Sequence, residues 1–150
     1  MKRASGILMP VFSLPSPYGI GTFGKAAYDW VDFLARAKQT YWQVLPLGPT
    51  SYGDSPYQSF SAFAGNPYFI DPDLLVAAGL LSAKECAAAA CGSDTKVDYA
   101  ALHETRFALL QQAFDRFTDD AALTAFWHRH KSWLDDYALY TAIKAANGQH

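Results

Sequence analysis

Apolar and polar positions divide the 150-residue chain into a mixed first half and a helical second half. Gly6-Ile7-Leu8-Met9 is a short apolar run between turn formers and predicts a buried strand. Over residues 23–37, Phe23, Ala27, Trp30, Val31, Leu34 and Ala37 recur at helical spacing and make one continuous stripe. Residues 41–45 return to strand chemistry, and Pro46, with no N–H to donate, ends ladder pairing. Strand, helix and strand in this order make a βαβ unit, with two parallel strands and a right-handed crossover.

From Asp71 onward the pattern is helical. Asp71 is an N-cap acid ahead of Pro72 at the first helical position, a short helix follows over 74–78, and Gly79 stops it. Residues 82–90 predict a second short helix. A longer face runs through Tyr99, Leu102, Arg106, Leu109, Leu110, Ala113 and Phe117. Residues 123–146 predict a further helix with a candidate break at Ser132, ending at Asn147-Gly148.

Proline usage sharpens the division, because all eight prolines lie at or before Pro72. The stretch 41–71 holds eight of the 23 aromatics and four of the prolines. It is too rich in Gly, Pro and Ser for a helix and too aromatic for a solvated linker. A long ordered loop after a strand is where binding sites gather. Its flat rings at Tyr52, Tyr57, Phe60, Phe63 and Tyr68, with Ser51, Ser55, Gln58, Ser59 and Asn66 among them, suit a pyranose. Such a ring presents an apolar C–H face and a rim of hydroxyls. On composition alone, a satellite core packed beneath the loop explains the aromatics as well as a sugar does.

Charge and cysteine content exclude other classes. Twelve basic and 14 acidic residues give a net charge of −2, without a nucleic-acid or anionic-membrane footprint. No apolar run reaches the roughly 20 residues of a membrane span. Pro10, Pro15 and Pro17 interrupt any signal-peptide core, so a cytoplasmic location is expected. Cys86 and Cys91 are five residues apart, about 140° off alignment on a helix, and read as two free thiols rather than a disulfide or metal pair. His128 and His130 point to nearly opposite sides of a helix and clamp no metal. Gly19-Ile20-Gly21-Thr22-Phe23-Gly24 matches the dinucleotide fingerprint, but its first glycine should follow the strand directly and Ser13-Leu14-Pro15-Ser16-Pro17-Tyr18 intervene, and no acid ends the second strand. A tight loop is the better reading.

Three segments carry a resemblance: Leu14-Pro15-Ser16-Pro17-Tyr18-Gly19-Ile20-Gly21, the run from Tyr41 to Thr50, and Tyr52-Gly53-Asp54-Ser55-Pro56-Tyr57 continuing to Tyr68. Together with Trp133-Leu134-Asp135-Asp136-Tyr137-Ala138-Leu139, they resemble the 4-α-glucanotransferases of glycoside hydrolase family 77, the amylomaltases and disproportionating enzymes. The resemblance implies an α/β chain: the N-terminal part of a (β/α)8 TIM barrel with a helical insertion after the second strand. Residues 1–70 would be the first two β/α units and the substrate-binding loop, and 71–150 the insertion. It implies retaining transfer of α-1,4-glucan segments between maltooligosaccharides, with no cofactor and no metal. By the same resemblance Ser55, Tyr57 and the adjacent Asp54 contact substrate. Tyr52 belongs to a second glucan site, whose usual aromatic partner is replaced here by His103. Retaining chemistry needs two carboxyl groups about 5 Å apart. The two glutamates, Glu85 and Glu104, lie on expected exposed helix, and no such pair is evident. The chain is thus expected to be the N-terminal portion of a longer enzyme, or, as the alternative, a non-catalytic glucan-binding module.

Overall fold

The computed structural model describes residues 3–51, 53–93 and 95–148. β1 (Gly6–Leu8) and β2 (Tyr41–Gln43) pair in parallel, Gly6 opposite Tyr41 and Leu8 opposite Gln43. Helix α1 (Lys25–Arg36) crosses between them, as the βαβ reading expected. Both strands are shorter than their apolar runs. Met9 still donates its N–H to Gln43 O at 3.0 Å, and Trp42 Nε1 donates to Met9 O at 2.7 Å. The expectation of a buried first strand fails here: Ile7 is 39% and Leu8 55% exposed, because a two-stranded sheet offers those side chains no covering layer.

The same shortage shows on α1. Of its stripe only Ala27 and Leu34 are buried, while Phe23 and Val31 remain exposed.

The core lies instead among the loops. Val11, Leu14, Ile20, Ala27, Tyr68 and Phe69 pack with Leu102, drawn from the segment after β1, the segment around a short 3-10 turn at Pro67–Phe69, and helix α4 (Tyr99–Asp115). A second cluster joins Tyr18, Leu81, Cys86, Leu109 and Ala113. Helices α2 (Pro72–Ala77) and α3 (Ala83–Ala88) belong to this second cluster, α3 through Cys86 and α2 through Leu75 and Val76 packed against it. Asp71 caps α2 by accepting from Leu74 N at 3.2 Å, with Pro72 at the first position. Ser82 and Glu85 cap α3 reciprocally, satisfying two N–H groups that the helix itself leaves unpaired. The last helix, α5 (Asp120–Ala146), runs 27 residues without the break read at Ser132. An isolated serine in helical sequence caps only where the backbone leaves helical angles, and here it does not.

The glycine run after β1 serves packing. A Cβ on Gly21 would overlap the Val11 carbonyl, and one on Gly24 would overlap the Asp71 carboxylate. Gly24 is also the N-cap of α1. The space where a pyrophosphate would need to sit is thus filled by Asp71, which accepts a hydrogen bond from Thr22 Oγ1. Cys86 is buried, Cys91 is half-buried, and both are free thiols. No described helix is long and apolar enough to cross a membrane.

Candidate functional site

Arg106 organises the loops that carry the site. It lies on the buried face of α4, only 2% exposed, where the spacing calls for an apolar residue. Its guanidinium donates from Nη1 to Tyr68 O at 2.9 Å and Ile70 O at 2.6 Å, and from Nη2 to Tyr18 O at 3.3 Å. One side chain thus ties both loop segments to α4. Burial pulls its pKa down, and the surrounding Cys91 and Asp71 oppose that. A planar fork with donors in fixed directions can serve three carbonyls at once, which an ammonium cannot.

Above this anchor the loop that leaves β2 opens into a groove of about 490 Å³. Its walls include Pro46, Leu47, Tyr57, Ser59, Ser61 and Phe63. Tyr57 is 72% and Phe63 70% exposed, so two flat rings stand free beside small hydroxyls. Local polar bonds hold the backbone: Ser55 Oγ accepts from Tyr57 N at 3.3 Å, and Ser61 Oγ accepts from Ala64 N at 3.0 Å. Phe60 and Phe63 are stapled to α5. Phe60 stacks on Tyr137 at 6.1 Å between centroids, and Phe63 on Trp133 at 5.8 Å.

The loop aromatics therefore divide. Tyr57 and Phe63 line the groove, Phe60 packs on α5, and Tyr68 is buried against Tyr99 and Phe107, so two of the five rings line one groove, as the sequence allowed. Asn66, read as a sugar-contacting amide, is buried and accepts from Tyr68 N as the cap of the 3-10 turn. The satellite-core reading holds for Tyr68 and Asn66, while Tyr57 and Phe63 line an open groove.

Ser55 is half-buried behind the groove wall. Asp54 sits at φ +55°, in the left-handed region, and its carboxyl borders a water-sized recess shared with Thr50, Asn66 and Tyr99. Burial pushes the Asp54 carboxyl above its usual range, with His103 pulling partly back. His103 is exposed on the first turns of α4, 4.9 Å from the Phe107 ring. Tyr52 lies outside the described residues. Sequence reasoning placed Arg106 on the helical face and missed its role. The available signal was a lone guanidinium within an apolar stripe, facing a Pro-rich loop whose carbonyls need donors.

No pair of carboxylates faces the groove among the described residues. Glu85 is held by Ser82 and by Arg116, whose Nη2 lies 2.6 Å from Glu85 Oε1. These contacts drive its pKa far down, so it is a fixed anion. Asp73 accepts from Tyr18 Oη at 2.5 Å, and Asp71 is engaged as described. No group of three metal-ligating side chains occurs among the described residues.

Parallel strands, a crossover helix and an aromatic groove on the loop after the second strand define an α/β protein with a loop-built site. The chain belongs to the 4-alpha-glucanotransferase family, glycoside hydrolase family 77, which it matches over residues 9–150. It is 56% identical over 147 residues to the 4-alpha-glucanotransferase of Streptococcus pneumoniae (strain TIGR4), covering 95% of this chain and 29% of that protein. The Thermus thermophilus 4-alpha-glucanotransferase is 46% identical over 154 residues, covering 99% of this chain and 30% of that one. Among solved structures, the amylomaltase from Streptococcus agalactiae in complex with acarbose superposes with a TM-score of 0.93 at 47% identity. It covers 99% of this chain and 31% of its own. The chain thus spans about 30% of the length of these relatives.

Proposed function

We propose that this chain supplies the substrate-binding loop of a retaining 4-α-glucanotransferase, which moves α-1,4-glucan segments between maltooligosaccharides. The observation that carries the reading is the groove itself: two free aromatic faces beside serine hydroxyls, in a chain of this family. A glucose ring stacks its C–H face on Tyr57 or Phe63 while Ser59 and Ser61 meet its hydroxyls. The structural relative bound to acarbose supports the same ligand class. The carboxylate pair that retaining transfer requires then lies outside residues 1–150.

In this reading β1 and β2 are the first two strands of a (β/α)8 barrel, and residues 71–150 are an insertion docked through α4. The groove sits after the carboxyl end of β2, the end at which barrel enzymes carry their sites. Ser55, Tyr57 and Asp54 serve the substrate loop, and Tyr52 serves a second glucan site in which His103 stands where an aromatic partner is usual. The free thiols suit a reducing cytoplasm.

The test is Tyr57→Ala in the complete enzyme, assayed by glucose release from maltotriose. Glucan use should weaken by roughly 1–3 kcal/mol, as for other aromatic anchors, and Tyr57→Phe should cost less. Unchanged transfer by Tyr57→Ala would remove Tyr57 from the site. Residues 1–150 alone should give no sustained turnover; turnover from them would place the catalytic groups here.

A further inference from the structure

Phe63 is a wall of the groove, and its position is set from outside the loop. Its ring lies nearly parallel to that of Trp133, 19° between planes. Four residues on, one helical turn along the same face of α5, Tyr137 stacks under Phe60 at an interplanar angle of 11°. Tyr140 approaches the same Phe60 ring at 5.4 Å, and Lys144 Nζ lies 5.2 Å from its centroid. The loop between Ser59 and Ser61 supplies hydroxyls to the groove, so the residue flanked by them is the one that α5 grips. Trp133 and Tyr137 are half-buried under these rings, whereas Phe63 keeps 70% of its surface free. One side of that ring is committed to the helix and the other is available to a ligand.

We infer that Trp133 and Tyr137 are positioning residues for glucan binding, setting the orientation of the groove wall through Phe63 and Phe60 without touching substrate. This deepens the proposed function and rests on it. A wall ring stacked on a rigid helix presents a fixed platform, and the ordering is done before the sugar arrives. Removing the stack leaves Phe63 attached to the loop but free to rotate, so the loss falls on binding rather than on the chemical step.

The experiment compares Trp133→Leu and Trp133→Phe in the complete enzyme, with Trp127→Ala as control. Trp127 is on the same helix, but its contacts are to Lys131 and Asp135 within α5. Trp133→Leu should raise KM for maltotriose about fivefold with kcat within twofold, because a stacked aromatic pair is worth that much. Trp133→Phe should restore KM to within twofold, and Trp127→Ala should leave it unchanged. If Trp133→Leu does not fold, Tyr137→Leu should show the same KM rise. Wild-type KM in the folded Trp133→Leu variant, or an equal KM rise in Trp127→Ala, overturns the inference and leaves the proposed function standing. A wild-type complete enzyme that neither binds nor transfers maltooligosaccharide overturns the proposed function itself.

Discussion

Helices α4 and α5 carry similar densities of large apolar residues and are attached to the molecule in opposite ways. α4 buries Leu102, Arg106, Leu109 and Ala113, and belongs to both core clusters. α5 has no buried residue among those described, and no side-chain hydrogen bond joins it to another element among them. It leaves Leu123, Phe126, Leu139 and Ile143 exposed and holds the loop through ring faces. The difference shows what decides burial. Periodicity makes a stripe, but only a facing layer makes a core, and α4 has the loops of the first half to face.

The comparison is broken first at Arg106. Arg106→Ala strips the donors from three carbonyls and should cost about 4 kcal/mol, since hydrogen bonds to a charged group are worth about 1.5–3 kcal/mol each and add incompletely. Urea denaturation followed by circular dichroism reads the loss. Arg106→Lys, which keeps the charge and loses the fork, should recover part of it. If Arg106→Ala melts with the wild type, α4 is not the anchor described.

Matched truncations sharpen the contrast. Leu102, 1% exposed, should lose about 3 kcal/mol on Leu102→Ala. Leu139, 61% exposed, should lose within about 0.5 kcal/mol on Leu139→Ala. Equal losses in the same denaturation series would mean that the two helices are equally buried. Between these two falls the stability change at the stack itself. Trp133→Leu should cost about 1 kcal/mol by the same measurement, the size of one aromatic pair.

A pH response should come from the 3-10 turn that packs on α4, where Tyr68 meets Tyr99 and Phe107. Burial pushes the Tyr68 phenol up to about 12, with Asp54 adding to the shift. A folded pKa above the unfolded 10 favours the neutral form, so this contribution is complete below pH 10 and is lost as pH rises through 12. Phenolate absorbance should show Tyr68 ionising near 12 or only on unfolding, and Tyr68→Phe should remove that part of the alkaline instability. An ordinary titration near 10 would contradict the burial.

Much of this was legible in the residues. Asp71-Pro72 announced its cap, the strand–helix–strand order announced parallel pairing, and the loop's five flat rings were readable as a set from which a groove could draw two or three. Two things were not legible. The burial of β1 and of the α1 stripe depends on layers beyond the two strands, which no local pattern reports. The role of Arg106 depends on carbonyls 36, 38 and 88 residues away, and a carbonyl leaves no trace in a sequence because every residue has one.

That last property bears on synthesis. The segments that Arg106 ties down, around Tyr18 and Tyr68, leave the ribosome before it does. At roughly 5–20 residues per second, the loop from β2 waits about 2–7 s after Ile70 is made before its clasp even exists. Through that interval the carbonyls of Tyr68 and Ile70 lack the guanidinium that later ties them to α4. Slow codons between residues 71 and 106 would lengthen that interval.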